Sequence, residues 1–233
     1  MLRSHAEIGG VPVKQTLTLV AVTTVAFAVQ MAIPGITETF LLDSSLVFSE
    51  PWRLVTSMFL HGDITHIAYN MFALFLFGSL LERELGRLYV PFYIAAGIVS
   101  GIAAVPFYAA ALGASGAVYG VMGALAAIKP KLIVFVMGVP MPMIAAAFVW
   151  LALDTVGFFS STGIANAAHI GGLLFGAVVG FAFFRKPEEA QRAHAFIDKG
   201  SFEDWEKRYM GNKLPATQCM THRCASSCSW RAL

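Results

Sequence analysis

The residues in this sequence that could do chemistry lie within apolar stretches. Ser115 follows a glycine-containing turn, His169 lies near the start of a later apolar run, and His66 and Asn70 lie four residues apart in an earlier one. A serine hydroxyl becomes a good nucleophile when a neighbouring base accepts its proton, and a neutral histidine can be that base. The tetrahedral intermediate carries a negative oxygen, which needs hydrogen-bond donors aimed at it. These side chains contain the parts of a serine-type acyl-transfer site.

The composition describes the surroundings in which such a site would lie. The chain has 233 residues, of which 57% are hydrophobic and 13% are charged, whereas an average soluble domain carries roughly 25% charged residues. These values exclude disorder, collagen and a coiled coil as the main architecture. The net charge of +2 is too small to indicate a nucleic-acid partner. We predict an all-α, polytopic membrane protein.

Six apolar segments have about the length and composition of membrane spans. The fifth contains Gly138, Pro140 and Pro142, so we expect its helix to start near Met141. The connection formed by residues 35–63 is too long to be a turn. We therefore predict a short N-terminus (1–15), a six-helix membrane domain (16–184) and a polar tail (185–233). The predicted spans cover residues 16–34, 64–81, 88–112, 115–128, 132–159 and 167–184.

The basic residues predict which side of the membrane each connection faces. The connections on the side of the membrane opposite the N-terminus carry a single basic residue, Arg53. The excess of Lys and Arg on the N-terminal side marks that side as cytoplasmic. We expect an integral protein of the cell membrane with both termini in the cytoplasm. The basic residues on the N-terminal side are Arg3, Lys14, Arg83, Arg87, Lys129, Lys131, Arg185 and Lys186.

Helical rise places the polar side chains in one layer. Ser115 lies fourteen residues from the charged residue at the inner end of its span, and His169 and His66 each lie sixteen residues away. These separations are about 21 and 24 Å at 1.5 Å per residue. The hydrocarbon core is about 30 Å thick, so these three side chains and Asn70, which lies one turn deeper than His66, share a layer roughly 6–12 Å below the outer surface.

Small residues at a spacing of four predict how the fourth and sixth spans pack. Such residues let membrane helices approach closely, and their contact would bring Ser115 to His169 and place Tyr119 against the His169 ring. The two small-residue faces are Gly116, Gly120 and Ala124 on the fourth span, and Ala168, Gly172, Gly176 and Gly180 on the sixth.

Acidic residues within the spans are not expected to complete a triad with His169. Asp154 lies near the outer end of the fifth span. We interpret it as a structural or hydrogen-bonding residue. The expected catalytic unit is therefore a dyad of Ser115 and His169.

The sequence resembles the rhomboid family of intramembrane serine proteases over about residues 16–184. Each motif alone is weak, but their order on the expected spans is specific. The resemblance is carried by Trp52-Arg53, by His61 with His66 and Asn70, by Gly113-Ala-Ser115-Gly116 with Tyr119, and by Asn166, His169, Gly172 and Gly176.

The resemblance implies an activity and roles for these residues. Ser115 would be the nucleophile and His169 the general base, while His66, Asn70 and the Ser115 backbone N–H would form the oxyanion site. The remaining motif residues would support the site, and no cofactor or metal is expected. The implied substrates are single-pass transmembrane proteins in the lipid bilayer, cut near the outer membrane face. In this family the first loop lies partly in the bilayer, and the fifth span with the following loop gates substrate entry.

One motif departs from the family pattern. The second span ends with Glu82-Arg83-Glu84, where the family often has arginine at the third position. The cross-helix ion pair of that motif is therefore uncertain, and Arg83 or Arg87 could substitute. The change lies far from the proposed chemistry.

Other interpretations of the same residues remain open. Ser115 could be a helix N-cap, His61 an ordinary loop residue, and His66 with Asn70 a cross-helix bonding pair. Trp52 and Arg53 fit an interfacial anchor better than a chemical role. The whole chain could be a catalytically silent pseudoprotease that binds membrane helices. A small-solute transporter is disfavoured, because the sequence has no internal repeat with matched interrupted helices.

The C-terminal tail contains residue types that bind zinc, namely Cys219, His222, Cys224 and Cys228. Their spacing matches no common zinc-finger pattern. We expect free thiols in a reducing cytosol.

Overall fold

The structure is a computed structural model that describes residues 13–136, 138–160 and 163–184. Contacts divide the chain into residues 1–185 and 186–233, and every described residue belongs to the first unit. The longer helices are α1 (Lys14–Ala32), α4 (Ile64–Ala73), α5 (Ser79–Leu85), α6 (Tyr89–Ala104), α7 (Ser115–Ile128), α8 (Met143–Phe158) and α9 (Asn166–Val179). Shorter elements are α2 (Ile36–Phe40), α3 (Arg53–Thr56) and strands β1 (Leu42–Asp43), β2 (Ala110–Ala111), β3 (Ile133–Val136) and β4 (Val139–Pro142).

The prediction of a mostly helical membrane protein is confirmed. In the described residues, three helical stretches are long and apolar enough to cross a membrane: Lys14–Ala32, Ile64–Ala104 and Asn166–Phe184. Helices α7 and α8 are apolar but shorter. Helix occupies at least part of each of the six predicted spans, but α6 ends at Ala104 and not at residue 112, and α8 covers only the second half of the fifth span. The number of membrane crossings stays a prediction.

The second and third spans form one helical path that reverses at Gly86. A π-helical turn (Leu74–Gly78) joins α4 to α5, and a 3₁₀ turn (Gly86–Leu88) follows α5. Gly86 has φ +55°, a backbone conformation that residues other than glycine rarely adopt. After the reversal, the Tyr89 hydroxyl lies against Gly78 on the preceding helix, which packs the two helices side by side.

The small-residue faces of α7 and α9 meet as predicted. A Cβ built on Gly172 would lie 2.1 Å from the Gly116 carbonyl oxygen, and one on Gly176 would lie 1.8 Å from the Gly120 carbonyl oxygen. Further along, a Cβ on Gly180 would lie 2.8 Å from the Ala124 oxygen. The two backbones therefore approach so closely that only hydrogen fits at these positions.

The first loop is a folded structure and not a loose connection. Its strand β1 pairs antiparallel with β2, so that Leu42 lies opposite Ala111. The Gly113 N–H donates to the Ser57 carbonyl oxygen at 2.9 Å, which joins this loop to the segment that enters α7. The loop thereby fixes the turn from which Ser115 projects.

The fifth span is interrupted as predicted, and the interruption is a β-hairpin. Strands β3 and β4 pair antiparallel, with Val136 opposite Val139. Helix α8 starts at Met143, two residues after the predicted position, because Pro140 and Pro142 lie in the second strand. The hairpin thus absorbs residues that cannot continue a helix.

Glu84, at the position where the family often has arginine, makes an ion pair of its own. Glu84 and Lys129 form an ion pair at 2.8 Å between the ends of α5 and α7 that lie away from Ser115. The prediction that Arg83 or Arg87 would supply a substitute pair is therefore wrong. Glu82 keeps a separate role: its buried carboxylate accepts the backbone N–H groups of Gln15 and Thr16 at 2.9 and 2.8 Å. It caps the first turn of α1, whose N–H groups lack partners within the helix.

Candidate active site

Ser115 and His169 meet where α7 and α9 begin. The Ser115 Oγ lies 2.8 Å from the His169 Nε2, which is hydrogen-bonding distance. Ser115 is the first residue of α7, and His169 lies in the first turn of α9. The contact predicted from depth and helix packing is present. It is the arrangement that lets an imidazole accept a proton from a hydroxyl.

The His169 ring is held on one face by Tyr119. The two rings stack with centroids 4.3 Å apart and an interplanar angle of 12°. Tyr119 lies one helical turn beyond Ser115 on α7, as the sequence analysis predicted. This stacking fixes the plane of the imidazole next to the serine.

Asp154 contacts the other nitrogen of His169, which corrects a prediction. Its Oδ1 lies 2.8 Å from the His169 Nδ1, and its side chain is 6% exposed. The sequence predicts hydrogen bonding by Asp154, but the prediction that no acidic residue lies next to His169 is wrong. The apolar sequence around Asp154 gave no signal of which way this residue points, because α8 has little difference in polarity between its faces.

His66 lies beside the serine in a defined tautomer. The Gly62 N–H donates to the His66 Nδ1 at 3.3 Å. A backbone N–H only donates, so a neutral His66 carries its proton on Nε2. A Cβ built on Gly113 would lie 3.0 Å from that Nε2 and 3.8 Å from the Ser115 Oγ. The His66 N–H and the serine oxygen therefore border the same small space, which Gly113 leaves open at φ +123°.

Asn70 is buried one turn after His66. Its Nδ2 donates to the His66 carbonyl oxygen at 2.9 Å, and the side chain lines the same cavity as Ser115. An amide nitrogen has two hydrogens, so this bond leaves the second one available to another acceptor. Asp63 caps the helix that carries both residues, because its Oδ1 accepts the His66 N–H at 2.8 Å.

His61 is a buried residue and not the ordinary loop residue considered above. Its side chain is fully inaccessible, and its ring contacts the His66 ring with centroids 5.0 Å apart. The Ala114 N–H, immediately before Ser115, points to the His61 Nε2 at 3.5 Å. Burial and the neighbouring His66 lower the pKa of His61 to about 4. His61 therefore stands neutral behind both His66 and the turn that carries Ser115.

Trp52 and Arg53 differ in how far their side chains are exposed. Trp52 is about half exposed, as expected for an interfacial anchor. Arg53 is buried, pairs with Glu50, and donates from Nη1 to the carbonyl oxygens of Glu38 and Leu41, both at 2.9 Å. The interpretation of Arg53 as an interfacial anchor is therefore wrong. It holds the first loop together.

Asn166 and the glycines support the site through packing. The Asn166 side chain donates to the Ile164 carbonyl oxygen at 3.1 Å, and Gly157 of α8 leaves room for its amide. This contact fixes the start of α9, three residues before His169. Gly116, Gly172 and Gly176 provide the close contact between α7 and α9 described above.

A cavity of about 730 Å³ adjoins these residues. His66, Asn70, Ser115, Tyr119 and His169 all line it. The apolar part of its lining includes Leu41, Ala73, Phe77, Val118, Met122 and Trp150. The hydroxyl, the imidazoles and the amide therefore face a common space large enough for several residues of an extended peptide.

The predicted tail, residues 185–233, with its zinc-type ligands lies outside the described residues. Within residues 13–136, 138–160 and 163–184, the structure has no group of three His, Cys, Asp or Glu side chains arranged to hold a metal.

Comparison with known proteins places the chain in a family. The family model of the Rhomboid domain matches residues 49–186, which is more than half of the chain and contains Ser115, His169, His66 and Asn70. The chain belongs to the rhomboid family.

Named relatives include both plant and bacterial proteins. "RHOMBOID-like protein 6, mitochondrial" of Arabidopsis thaliana is 32% identical over 151 residues, which cover 60% of this chain and 46% of the relative. Rhomboid protease GluP of Bacillus subtilis is 37% identical over 141 residues, covering 58% of this chain and 26% of the relative. Rhomboid protease GlpG of Haemophilus influenzae is 31% identical over 135 residues, covering 57% and 70%. The chain thus spans less than half the length of the first two.

Proposed function

We propose that this chain is an intramembrane serine endopeptidase that hydrolyses peptide bonds in the transmembrane segments of other proteins. The observation that carries the proposal is the 2.8 Å contact between the Ser115 Oγ and the His169 Nε2 in the wall of a large cavity. Family membership supports it, because several relatives are named as proteases. A packing serine would not need a base at hydrogen-bonding distance on a different helix.

The first step of the reaction is attack by the serine. Ser115 Oγ bonds to the carbonyl carbon of the scissile peptide while its proton passes to the His169 Nε2. The carbonyl oxygen becomes an oxyanion. Its donors would be the His66 Nε2–H, the second Asn70 amide hydrogen and the Ser115 backbone N–H, which lacks a partner within its own helix because Ser115 begins α7.

The tetrahedral intermediate then breaks down to an acyl-enzyme. The carbon–nitrogen bond breaks, the leaving amine takes the proton from the His169 Nε2, and the acyl group remains on Ser115. A water molecule, deprotonated by the same nitrogen, then attacks the ester and releases the acid and the free serine. The positive end of the α7 dipole favours negative charge at this position during both halves of the reaction.

The cavity lining supports a membrane-protein substrate. Aromatic and aliphatic side chains from α4, α7 and α8 surround the polar residues, so an apolar segment can enter without leaving large polar groups unpaired. The distribution of basic residues supports cytoplasmic termini, and with them cleavage near the outer face of the cell membrane. On this proposal residues 16–184 form the protease domain and residues 185–233 a cytoplasmic tail.

Cleavage of a reporter tests the proposal. The purified protein in liposomes is mixed with a single-pass reporter, and the products are identified by mass spectrometry. We expect two fragments cut within or next to the transmembrane segment, and none with Ser115→Ala or His169→Ala. Ser160→Ala is the matched control, since Ser160 is exposed and bonds the Val156 carbonyl oxygen on α8. A reporter that binds the wild-type protein but stays intact would instead identify a pseudoprotease.

A further inference from the structure

Asp154 approaches the proposed base from a third helix. Its Oδ1 lies 2.8 Å from the His169 Nδ1, opposite the nitrogen that contacts Ser115. The Asp154 and His169 side chains are 6% and 11% exposed. Three consecutive hydrogen-bonding groups therefore run from α8 through α9 to α7: carboxylate, imidazole and hydroxyl.

The Asp154 carboxylate faces side chains of the candidate site. An acidic side chain within an apolar helix is costly unless it has a partner. Among the residues that the structure describes, His169 is the one side chain recorded in an ion pair with Asp154. Its neighbour Thr155 instead bonds the Leu151 carbonyl oxygen of its own helix and faces outward. The Tyr119 hydroxyl also interacts with the Asp154 carboxylate. Asp154 therefore faces two aromatic side chains of the site, and the contact with the base is the one to His169 Nδ1.

The contact selects one tautomer of the imidazole. An ionised carboxylate only accepts hydrogen bonds, so the His169 Nδ1 carries the ring proton and donates it to Asp154. The Nε2 is then unprotonated and offers its lone pair to the Ser115 hydroxyl. The opposite tautomer would present an N–H to the serine and could not accept its proton.

Tyr119 cannot make this selection. Its ring stacks on the flat face of the imidazole, and that contact fixes the ring plane. The flat face of the imidazole is nearly the same in both tautomers, and it also stays nearly the same if the ring rotates by 180°. Stacking therefore does not favour one tautomer. A directional acceptor at the ring edge is needed to distinguish the two nitrogens, and Asp154 supplies it.

We propose that Asp154 is a positioning residue that holds His169 in the Nδ1–H tautomer and offsets the positive charge when the imidazole takes the serine proton. The catalytic part of this inference rests on the proposed function. During the step, the proton moves from the Ser115 Oγ to the His169 Nε2, and the Nδ1 proton remains on the ring, where it is bonded to Asp154. Ser115 and His169 remain the two reacting residues, and Asp154 acts on them through the far edge of the imidazole ring.

The tautomer is measured without any substrate. Nitrogen-15 spectra of histidine-labelled protein, with the His169 signals assigned by their loss in His169→Gln, report which ring nitrogen is protonated. We expect the wild type to be protonated at Nδ1, and Asp154→Leu to shift the population towards protonation at Nε2. Leucine favours the helix and suits an apolar span, so this variant should fold. Identical His169 spectra in the two proteins would overturn the inference.

Kinetics test the consequence for catalysis. With the reporter assay, we expect Asp154→Leu and Asp154→Asn to lower kcat on the order of 10²-fold while KM is unchanged, because the carboxylate acts on charge that develops after binding. Thr155→Val on the same turn is the matched control and should keep wild-type kcat. A wild-type kcat in Asp154→Leu would overturn the role of Asp154. Absence of cleavage by the wild-type protein would instead overturn the proposed function, and the tautomer measurement would then test on its own whether Asp154 orients His169.

Discussion

The His66 ring lies directly over Gly113, the residue two positions before Ser115. A Cβ at position 113 would lie 2.9 Å from the His66 Cε1 and 3.0 Å from its Nε2. The missing side chain therefore creates the space in which a substrate carbonyl oxygen could reach the His66 N–H. The start of α7 and the start of α4, distant in sequence, together shape this space.

Replacement of Gly113 tests that relationship. We expect Gly113→Ala to lower kcat at least about tenfold, since the new methyl group displaces the His66 ring from the oxyanion position. The matched control is Gly35→Ala: Gly35 also has positive φ, at +86°, but nothing lies within 4 Å of its Cβ position. Both variants should lose on the order of 1 kcal/mol of stability from backbone strain. Equal kcat in the two variants would contradict the assignment.

The oxyanion donors give a second prediction. We expect His66→Ala and Asn70→Ala each to lower kcat on the order of 10²-fold, the usual loss for one donor to a tetrahedral intermediate. KM should change little, because the bonds strengthen as the negative charge develops. The measurement is reporter turnover under saturating substrate. If the double variant turned over like the wild type, both side chains would be excluded as donors.

The contact between α7 and α9 gives a prediction about folding. A Cβ on Gly176 would overlap the Gly120 carbonyl oxygen, a backbone atom that cannot move without separating the helices. We expect Gly176→Ala to lower the free energy of unfolding by about 2–4 kcal/mol. Val178→Ala, at an exposed position on the same helix, should cost far less. Thermal unfolding in detergent compares them, and equal melting temperatures would contradict the close packing.

Burial of His61 predicts a pH-dependent stability. Its pKa is lowered to about 4 in the folded protein, against an ordinary value of 6.5, so the unfolded chain binds the proton more readily. Stability is therefore full above pH 6.5 and falls as the pH drops from 6.5 towards 4, by on the order of 1–2 kcal/mol. His61→Phe should flatten this decline, since phenylalanine keeps the ring packing but does not titrate. Parallel stability curves for the two proteins between pH 7.5 and 4.5 would refute the prediction.

Much of the fold follows from the sequence because the membrane imposes strict lengths. Apolar runs predict where helices begin and end, and glycines at a spacing of four predict which faces of α7 and α9 meet. The positions of Ser115, His169 and Tyr119 then follow from helical geometry. The hairpin before α8 was predicted only as an interruption, since Gly138, Pro140 and Pro142 indicate a break in the helix but not what replaces it.

The remaining parts of the site depend on orientation that spacing does not reveal. The sequence places Asp154 near the outer end of its span, but the faces of α8 differ little in polarity, so the spacing does not show that this residue faces His169. Arg53 and His61 lie in the first loop, where no periodicity indicates which side chains point inward. Their burial results from hydrogen bonds to backbone groups that are distant in sequence.

The most direct test of the central claim is to map a covalent adduct on the serine. The protein is treated with a fluorophosphonate, which reacts with a serine hydroxyl that a neighbouring base has activated, and the modified peptide is sequenced by mass spectrometry. We predict an adduct on Ser115 that is absent in Ser115→Ala and much reduced in His169→Ala, while Ser160→Ala reacts like the wild type. An unmodified Ser115, or equal labelling of the wild type and His169→Ala, would contradict the account.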